Sequence, residues 1–470
     1  MGIVAAFAVP HPPLAIPGVA DGDKPEVRHT LEAYEEVGRR ICALAPDTVF
    51  VASPHATSYR DYIHISPGTH ASGSFASFGA PKEAMSVDYD VELAERICSL
   101  VGREGVRAGT QGEQDPALDH GTMVPLHFIR KAYEEQGYPM PLVVRCGISG
   151  LSPADHYKFG RVVALASEYT GRRVVFVASG DLSHRLKEDG PYGYDPAGPL
   201  FDSLVCGAFS SGSFLSLLTA DPGMCEAAGE CGLRSFQIMA GALDETPVTA
   251  QLLSYEGPFG VGYGIASFVP TGQGGADPSR DFLSAYGSWY RSQMARNRAN
   301  EDAFVSLARQ SLETYVLTGR RMAVPEGLPE ELYERRAGAF VSLKENGELR
   351  GCIGTIMPQR STLAAEICAN AIAAGTSDPR FPEVTADELD DLVYDVDVLS
   401  DPEPCDLADL DPKRYGVIVS TPDGRRGLLL PDLDGVDSVA EQVSIAARKG
   451  GIALGRDEAS FERFEVTRHL

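Results

Sequence analysis

The sequence predicts an α/β N-terminal domain, with a mostly parallel sheet and helices on both faces, followed by an α+β C-terminal domain. Three observations carry this. Short all-apolar runs alternate with segments of helical periodicity as far as residue 269. A stretch rich in Gly and Pro, Val269–Pro278, then breaks the pattern as a linker should. Beyond it, paired apolar runs flank Asn346-Gly347 and Asp423-Gly424, dipeptides that suit hairpin turns. The expected division is 1–269, a linker at 270–280, and 281–470 with a core over 300–468.

In chain order, Ile3–Ala8 reads as a strand buried on both faces, because no polar residue interrupts it. Glu26–Ala45 has helical periodicity, and Thr48–Ala52 is a second buried strand. Leu142–Cys146 and Val174–Ala178 are two more, with helix-like Ala154–Glu168 between them. Leu252–Tyr255 and Ile265–Phe268 close the domain. The glycines of 256–264 lack the spacing and strand–helix context of a phosphate-binding loop. After the linker, Asp281–Thr318 is largely helical. Ala339–Leu343 with Leu349–Ile353, and Gly416–Ser420 with Gly427–Leu430, read as hairpins. Ser361–Ala374 and Ser438–Lys449 read as helices.

Composition narrows the function. A net charge of -25 argues against a nucleic-acid partner and against docking on anionic lipid. There is no apolar run of about 18 residues, and Ile3–Val9 lacks the basic flank of a signal peptide, so no membrane association is expected. The nine cysteines form no CxxC pair and are odd in number, which points to a reducing, cytoplasmic setting.

Nine of the ten histidines precede residue 185. His11, His55, His120 and His184 each sit beside Pro, Ser, Asp or Gly next to an apolar run. In a parallel sheet, ligands bind beyond the carboxyl ends of the strands, where His55 and the Asp181–His184 loop fall. Two imidazoles and a carboxylate on one face of an ion leave positions open for a chelating substrate and dioxygen, a set that suits non-haem Fe(II) and also Zn²⁺. His11 and His55 supply the imidazoles. Glu256, at the end of an apolar strand, is the preferred carboxylate; its alternative is a sheet-edge glutamate in solvent. His120 and His184 can move protons near neutral pH. Asp181 either orients His184 or serves as a turn or cap residue. Asp119 reads as an N-cap. His29, His64, His70, His127 and His156 read as structural or solvated.

The strings Pro-His11-Pro-Pro, Ser-Pro-His55, Leu-Asp-His120-Gly-Thr and Ser-Gly-Asp181-Leu-Ser-His184, in that order, resemble the LigB-type class III extradiol dioxygenases and their Memo-like relatives over residues 1–269. The resemblance implies that His11, His55 and Glu256 hold Fe(II), that His184 is the acid/base and that His120 lines the site. Memo-like members carry another residue in place of the glutamate. The implied reaction is extradiol cleavage of a catechol-like aromatic diol by O₂. Two other readings keep the metal: a Memo-like binding or redox component that works with a radical SAM partner, and a zinc-dependent hydrolase. A homo-oligomer is also compatible with the family.

In the tail, Leu349-Arg-Gly-Cys-Ile-Gly-Thr355, Ser377-Asp-Pro-Arg-Phe381 and the Tyr394–Ser400 strand resemble the AMMECR-type domain over residues 300–468. The whole chain is then similar to the fused AmmeMemoRadiSam system A family. Cys352 beside Arg350 suits either a nucleophile or a small buried residue. With His469 the one histidine there, a Cys–His pair is not expected. Arg350, Cys352, Asp378 and Arg380 are candidates for a binding cleft.

Overall fold

The computed structural model of the chain describes residues 2–19, 25–114, 117–272, 276–345, 347–433 and 435–470. Two compact units emerge, Met1–Trp289 and Tyr290–Leu470. Of the expected linker, residues 273–275 lie outside the described residues. Asp277 N–H donates to the Glu245 carbonyl at 2.7 Å, and the Arg280 guanidinium lies over the rings of Phe214 and Phe282, all within the first unit.

The first unit is built on one six-stranded sheet. Its strands are β1 (Ile3–Val9), β2 (Thr48–Ala52), β3 (Leu142–Cys146), β4 (Val174–Ser179), β5 (Val248–Glu256) and β6 (Tyr263–Pro270). The spatial order is β3-β2-β4-β1-β6-β5. β1 to β4 pair in parallel, while β6 runs antiparallel to both its neighbours. β2 and β4 are buried over their whole length, as their almost wholly apolar sequences require with both sheet faces covered.

Alternation along the strands assigns each face. Val49, Val51, Val175 and Val177 join Tyr34, Val37, Met123 and Leu126 in one cluster under the helices Arg28–Leu44 and His120–Gln136. Phe50 and Phe176 point the other way and stack at 4.9 Å, with Phe159 of the helix Pro153–Tyr169 at 6.3 Å from Phe50. Each such fully buried side chain contributes roughly 1.5–3 kcal/mol. On this second face Pro153–Tyr169 crosses the helix Leu233–Ala242 at two glycines. A Cβ at Gly160 would overlap the Ile238 carbonyl, and one at Gly241 the Tyr157 carbonyl.

The region expected to be largely helical, Asp281–Thr318, is two helices, Phe282–Asn300 and Ala303–Thr318. Asp302 separates them because its carboxylate accepts from Phe304 N–H at 2.9 Å and Val305 N–H at 3.0 Å, an N-cap that restarts the helix.

In the second unit, Glu348–Gly354, Ala339–Glu345, Leu392–Leu399 and Val466–His469 form one antiparallel sheet in that order. Its apolar face packs on Ala303–Thr318 and Leu363–Thr376 through Val341, Leu343, Tyr394 and Val396. A second antiparallel sheet, Glu403–Pro404, Ser460–Phe464, Gly416–Ser420 and Arg426–Leu429, packs on Val439–Lys449. The α+β expectation holds here. Of the expected Asn346-Gly347 turn, residue 346 lies outside the described residues, while Gly347 has φ 84°. Among the described residues no helix is long and apolar enough to cross a membrane.

Candidate metal centre

The loops that leave the carboxyl ends of β1, β2 and β4 meet at one pole of the sheet. His11 follows β1 by two residues and is 2% exposed. Tyr34 of Arg28–Leu44 donates its hydroxyl to the Pro10 carbonyl, and His11 N–H donates to Asp181 Oδ1 at 2.8 Å. These two bonds fix the turn that aims the His11 ring inward. His55 follows β2 through Ser53 and Pro54, and its Nε2 lies 3.0 Å from His11 Nε2. His120 opens the helix His120–Gln136; its ring centroid is 4.1 Å from that of His55 and 5.3 Å from that of His11. Phe78 covers its outer side at 5.2 Å.

Asp119 caps this helix as expected, and it does more. Oδ1 accepts from Ser53 Oγ at 2.6 Å and Thr122 N–H at 2.9 Å, and Oδ2 accepts from Thr122 Oγ1 at 2.7 Å and Arg145 Nη1 at 3.4 Å. One carboxylate thus ties the loop that carries His55 to the helix that carries His120. Burial opposes its charge, but the Ser53 and Thr122 hydrogen bonds and the Arg145 guanidinium hold its carboxyl below the usual range.

Asp181 and His184 line the other side. Asp181 Oδ2 lies 3.9 Å from His11 Nε2 and 3.9 Å from His184 Nε2. Tyr192, 62% exposed, stacks on the His184 ring at 5.3 Å. Burial pushes the Asp181 carboxyl up to about 6 and lowers His184. Burial, and next the neighbouring His55, lowers His11 well below its ordinary value and His120 to about 4. Neutral imidazoles with available lone pairs are what a metal ion requires.

The sequence-based set is therefore brought together at His11, His55, His120, Asp181 and His184, but Glu256 is not among them. Glu256 ends β5, and its carboxylate is taken up by the start of the Arg28–Leu44 helix. Oε2 accepts from Thr30 N–H at 2.8 Å and Thr30 Oγ1 at 2.7 Å, and Oε1 from His29 N–H at 3.4 Å. A charged strand end did need a partner, and the positive end of a helix dipole supplied it.

Cys231, which sequence reasoning passed over, brings a thiol to the same place as the histidines. Its Sγ is 3.6 Å from His11 Nε2, and the donor atoms of His11, His55 and Cys231 all lie within 4.8 Å of one another. Asp181, His184 and Cys231 satisfy the same condition. Cys231 stands just before Leu233–Ala242, whose first turn is held by Glu230 accepting from Leu233 N–H at 2.7 Å. Its isolation, with no Cys or His at ligand spacing, left no local signal. Burial, and next the Asp181 carboxylate, pushes its thiol well above the usual range, so the proton stays until a cation displaces it.

The residues fit a metal. Two nitrogens each about 2.1 Å from one ion, at a right angle, stand about 3.0 Å apart, and a thiolate about 2.3 Å from it completes a three-point face. Nitrogen and sulfur donors together suit borderline and soft ions, namely iron, copper or zinc.

The family model described as the catalytic LigB subunit of aromatic ring-opening dioxygenase matches residues 5–266, and the AMMECR1 model matches residues 305–469. A protein of Clostridium acetobutylicum is 39% identical over 477 aligned positions, covering 100% of this chain and 99% of its own. A protein of Thermotoga maritima is 54% identical over 171 positions, 36% of this chain and 98% of its own. Among solved structures, an Escherichia coli K12 protein aligns at 16% identity and a TM-score of 0.36, covering 56% of this chain and 99% of its own.

Proposed function

Because the chain belongs to the LigB family, with an AMMECR1 domain fused behind it, we propose that its first unit holds a single transition-metal ion on His11, His55 and Cys231 and works as a Memo-like redox component. The observation that supports this most directly is the exchange of ligands. Cys231 Sγ lies 3.6 Å from His11 Nε2, while the Glu256 carboxylate is occupied by Thr30. A thiolate in place of a carboxylate makes the set softer than that of a ring-opening dioxygenase.

The bound ion would supply one-electron redox change and Lewis acidity. The protein's own residues do the rest. Burial of His11 keeps bulk water from that one donor, while His55 faces the open side. Asp181, midway between His11 and His184, is placed to accept a proton at Oδ2 and pass it to His184 Nε2 at the open side. Tyr192 holds the His184 ring plane. The similarity of the whole chain to the fused family supports a radical SAM protein as the proposed partner for this chemistry.

Anaerobic loading with Co²⁺ tests the ligand set. The wild-type protein and Glu256→Gln are expected to show a thiolate-to-cobalt charge-transfer band, and Cys231→Ser to lack it. A wild-type spectrum without that band, or its loss in Glu256→Gln, overturns the assignment.

The second reading is extradiol ring opening with Fe(II), favoured by the Asp181–His184 pair at the open side of the site. Oxygen uptake with simple catechols by the Fe²⁺-loaded protein, abolished in His184→Ala, would establish it in place of the redox role. Metal analysis of anaerobically purified protein separates both from a zinc hydrolase.

A further inference from the structure

Ser179, the last residue of β4, is fully buried between two partners of different kind. On one side its Oγ lies 2.6 Å from the Gly121 carbonyl oxygen, and on the other 3.0 Å from His11 Nδ1. A hydroxyl has one proton to give. Two oxygens at 2.6 Å with no hydrogen between them repel, so that proton lies on the line to Gly121. The same oxygen then offers His11 only lone pairs, and Nδ1 must be the donor. The lone pair of the neutral ring is left on Nε2, which faces His55 Nε2 at 3.0 Å and Cys231 Sγ at 3.6 Å.

Gly121 makes the arrangement feasible. A Cβ there would overlap Ser53 Oγ, crowd Asp119 Oδ1 at 3.1 Å and touch the His55 ring at 3.4 Å. The bare backbone lets the start of the His120–Gln136 helix pass between the β2 loop and the end of β4, which brings its first-turn carbonyl to Ser179.

We propose that Ser179 is a positioning residue that locks His11 as the Nδ1–H tautomer and so reserves Nε2 as the inward-facing donor. The consequence for metal affinity rests on the metal-centre reading above, whereas the tautomer does not. Outer-sphere partners of this kind typically change metal affinity about 10–100-fold when removed.

The experiment uses the full chain, labelled with ¹⁵N-histidine, free of metal and at neutral pH. Long-range proton–nitrogen correlations, assigned with a His11→Gln sample, are expected to show a protonated Nδ1 and an unprotonated Nε2 at His11. In Ser179→Ala the two forms average or reverse, and in Ser179→Thr the wild-type pattern returns. Cobalt affinity is expected to fall about 10–100-fold in Ser179→Ala and to recover in Ser179→Thr. A protonated Nε2 in the wild type, or an unchanged tautomer in Ser179→Ala, overturns the proposal. The wild-type spectrum decides even if the alanine variant does not fold. A wild type that shows the Nδ1–H form but binds no cobalt overturns the metal-centre reading and leaves the tautomer lock standing.

Discussion

The histidine pole of the first unit and the Arg350–Arg380 cluster of the second are both rich in polar side chains, yet they differ in what remains unpaired. In the second unit, the Asp378 carboxylate accepts from Cys352 N–H at 2.9 Å, from Arg380 Nε at 2.9 Å and from Arg380 Nη2 at 2.7 Å. These bonds, Arg380 foremost, hold its carboxyl well below the usual range. Arg350 is spent on Glu388 at 2.7 Å and on the Pro382 carbonyl at 3.0 Å. At the histidine pole, two imidazole nitrogens face each other at 3.0 Å with a thiol at 3.6 Å, and burial disfavours protonating His11. Ring nitrogens and a thiol gathered without a charged partner suit a cation, whereas a set of ion pairs that satisfy one another suits a scaffold.

The largest test of that contrast is Cys231→Ser. Four ligands together give a structural zinc site roughly 10–16 kcal/mol, so losing one should weaken binding at least about 100-fold. Competition against a chromophoric chelator measures it, and unchanged affinity would erase the distinction between the two clusters.

His156 provides a control, being a histidine with both nitrogens used. Nδ1–H donates to the Ser152 carbonyl at 2.9 Å, and Nε2 accepts from Ser149 N–H at 3.2 Å. Burial pushes it down to about 4. The unfolded chain binds a proton below about 6.5 and the folded one only near 4, so stability is full above that window and declines as pH falls through it. Between pH 7 and pH 5 the decline should be about 2 kcal/mol and be smaller in His156→Asn, as read from urea midpoints at those two pH values.

Asp378→Ala should cost about 2 kcal/mol of stability in chemical denaturation, by leaving Cys352 N–H and Arg380 without their acceptor, and should not alter cobalt affinity. The smallest effect is Glu256→Gln. It removes a charge from a helix start, which lowers stability by about 0.5–1 kcal/mol while cobalt binding persists. A large drop in binding would return Glu256 to the ligand set.

The strands of the first sheet were plain in the sequence because short runs dominated by apolar residues suit them, even with Arg145 inside one of them. The runs Thr48–Ala52 and Leu142–Cys146 coincide with β2 and β3 to the residue. The ribbon of His70–Phe75 and Ala80–Asp88 was not legible, since its residues alternate irregularly and its turn is a three-residue 3₁₀ segment rather than a hairpin dipeptide. The four site histidines could be read from their places after apolar runs. Cys231 and Ser179 could not. One comes from a distant helix start and the other reads as the ordinary end of a strand, and only the folded chain shows what each touches. Glu256 is held by Thr30 rather than beside the histidines, and the sequence could not tell the two apart, because a carboxylate at a strand end looks alike whether an ion or a helix terminus awaits it.

The crossing of Pro153–Tyr169 and Leu233–Ala242 at Gly160 and Gly241 acts as a fulcrum. A methyl group at residue 241 would push the second helix off its neighbour, and Cys231, just ahead of that helix, would swing with it. Ion preference could then be retuned by Gly241→Ala alone, at a position that touches no donor atom, and catalogues of variants confined to the pole would overlook it.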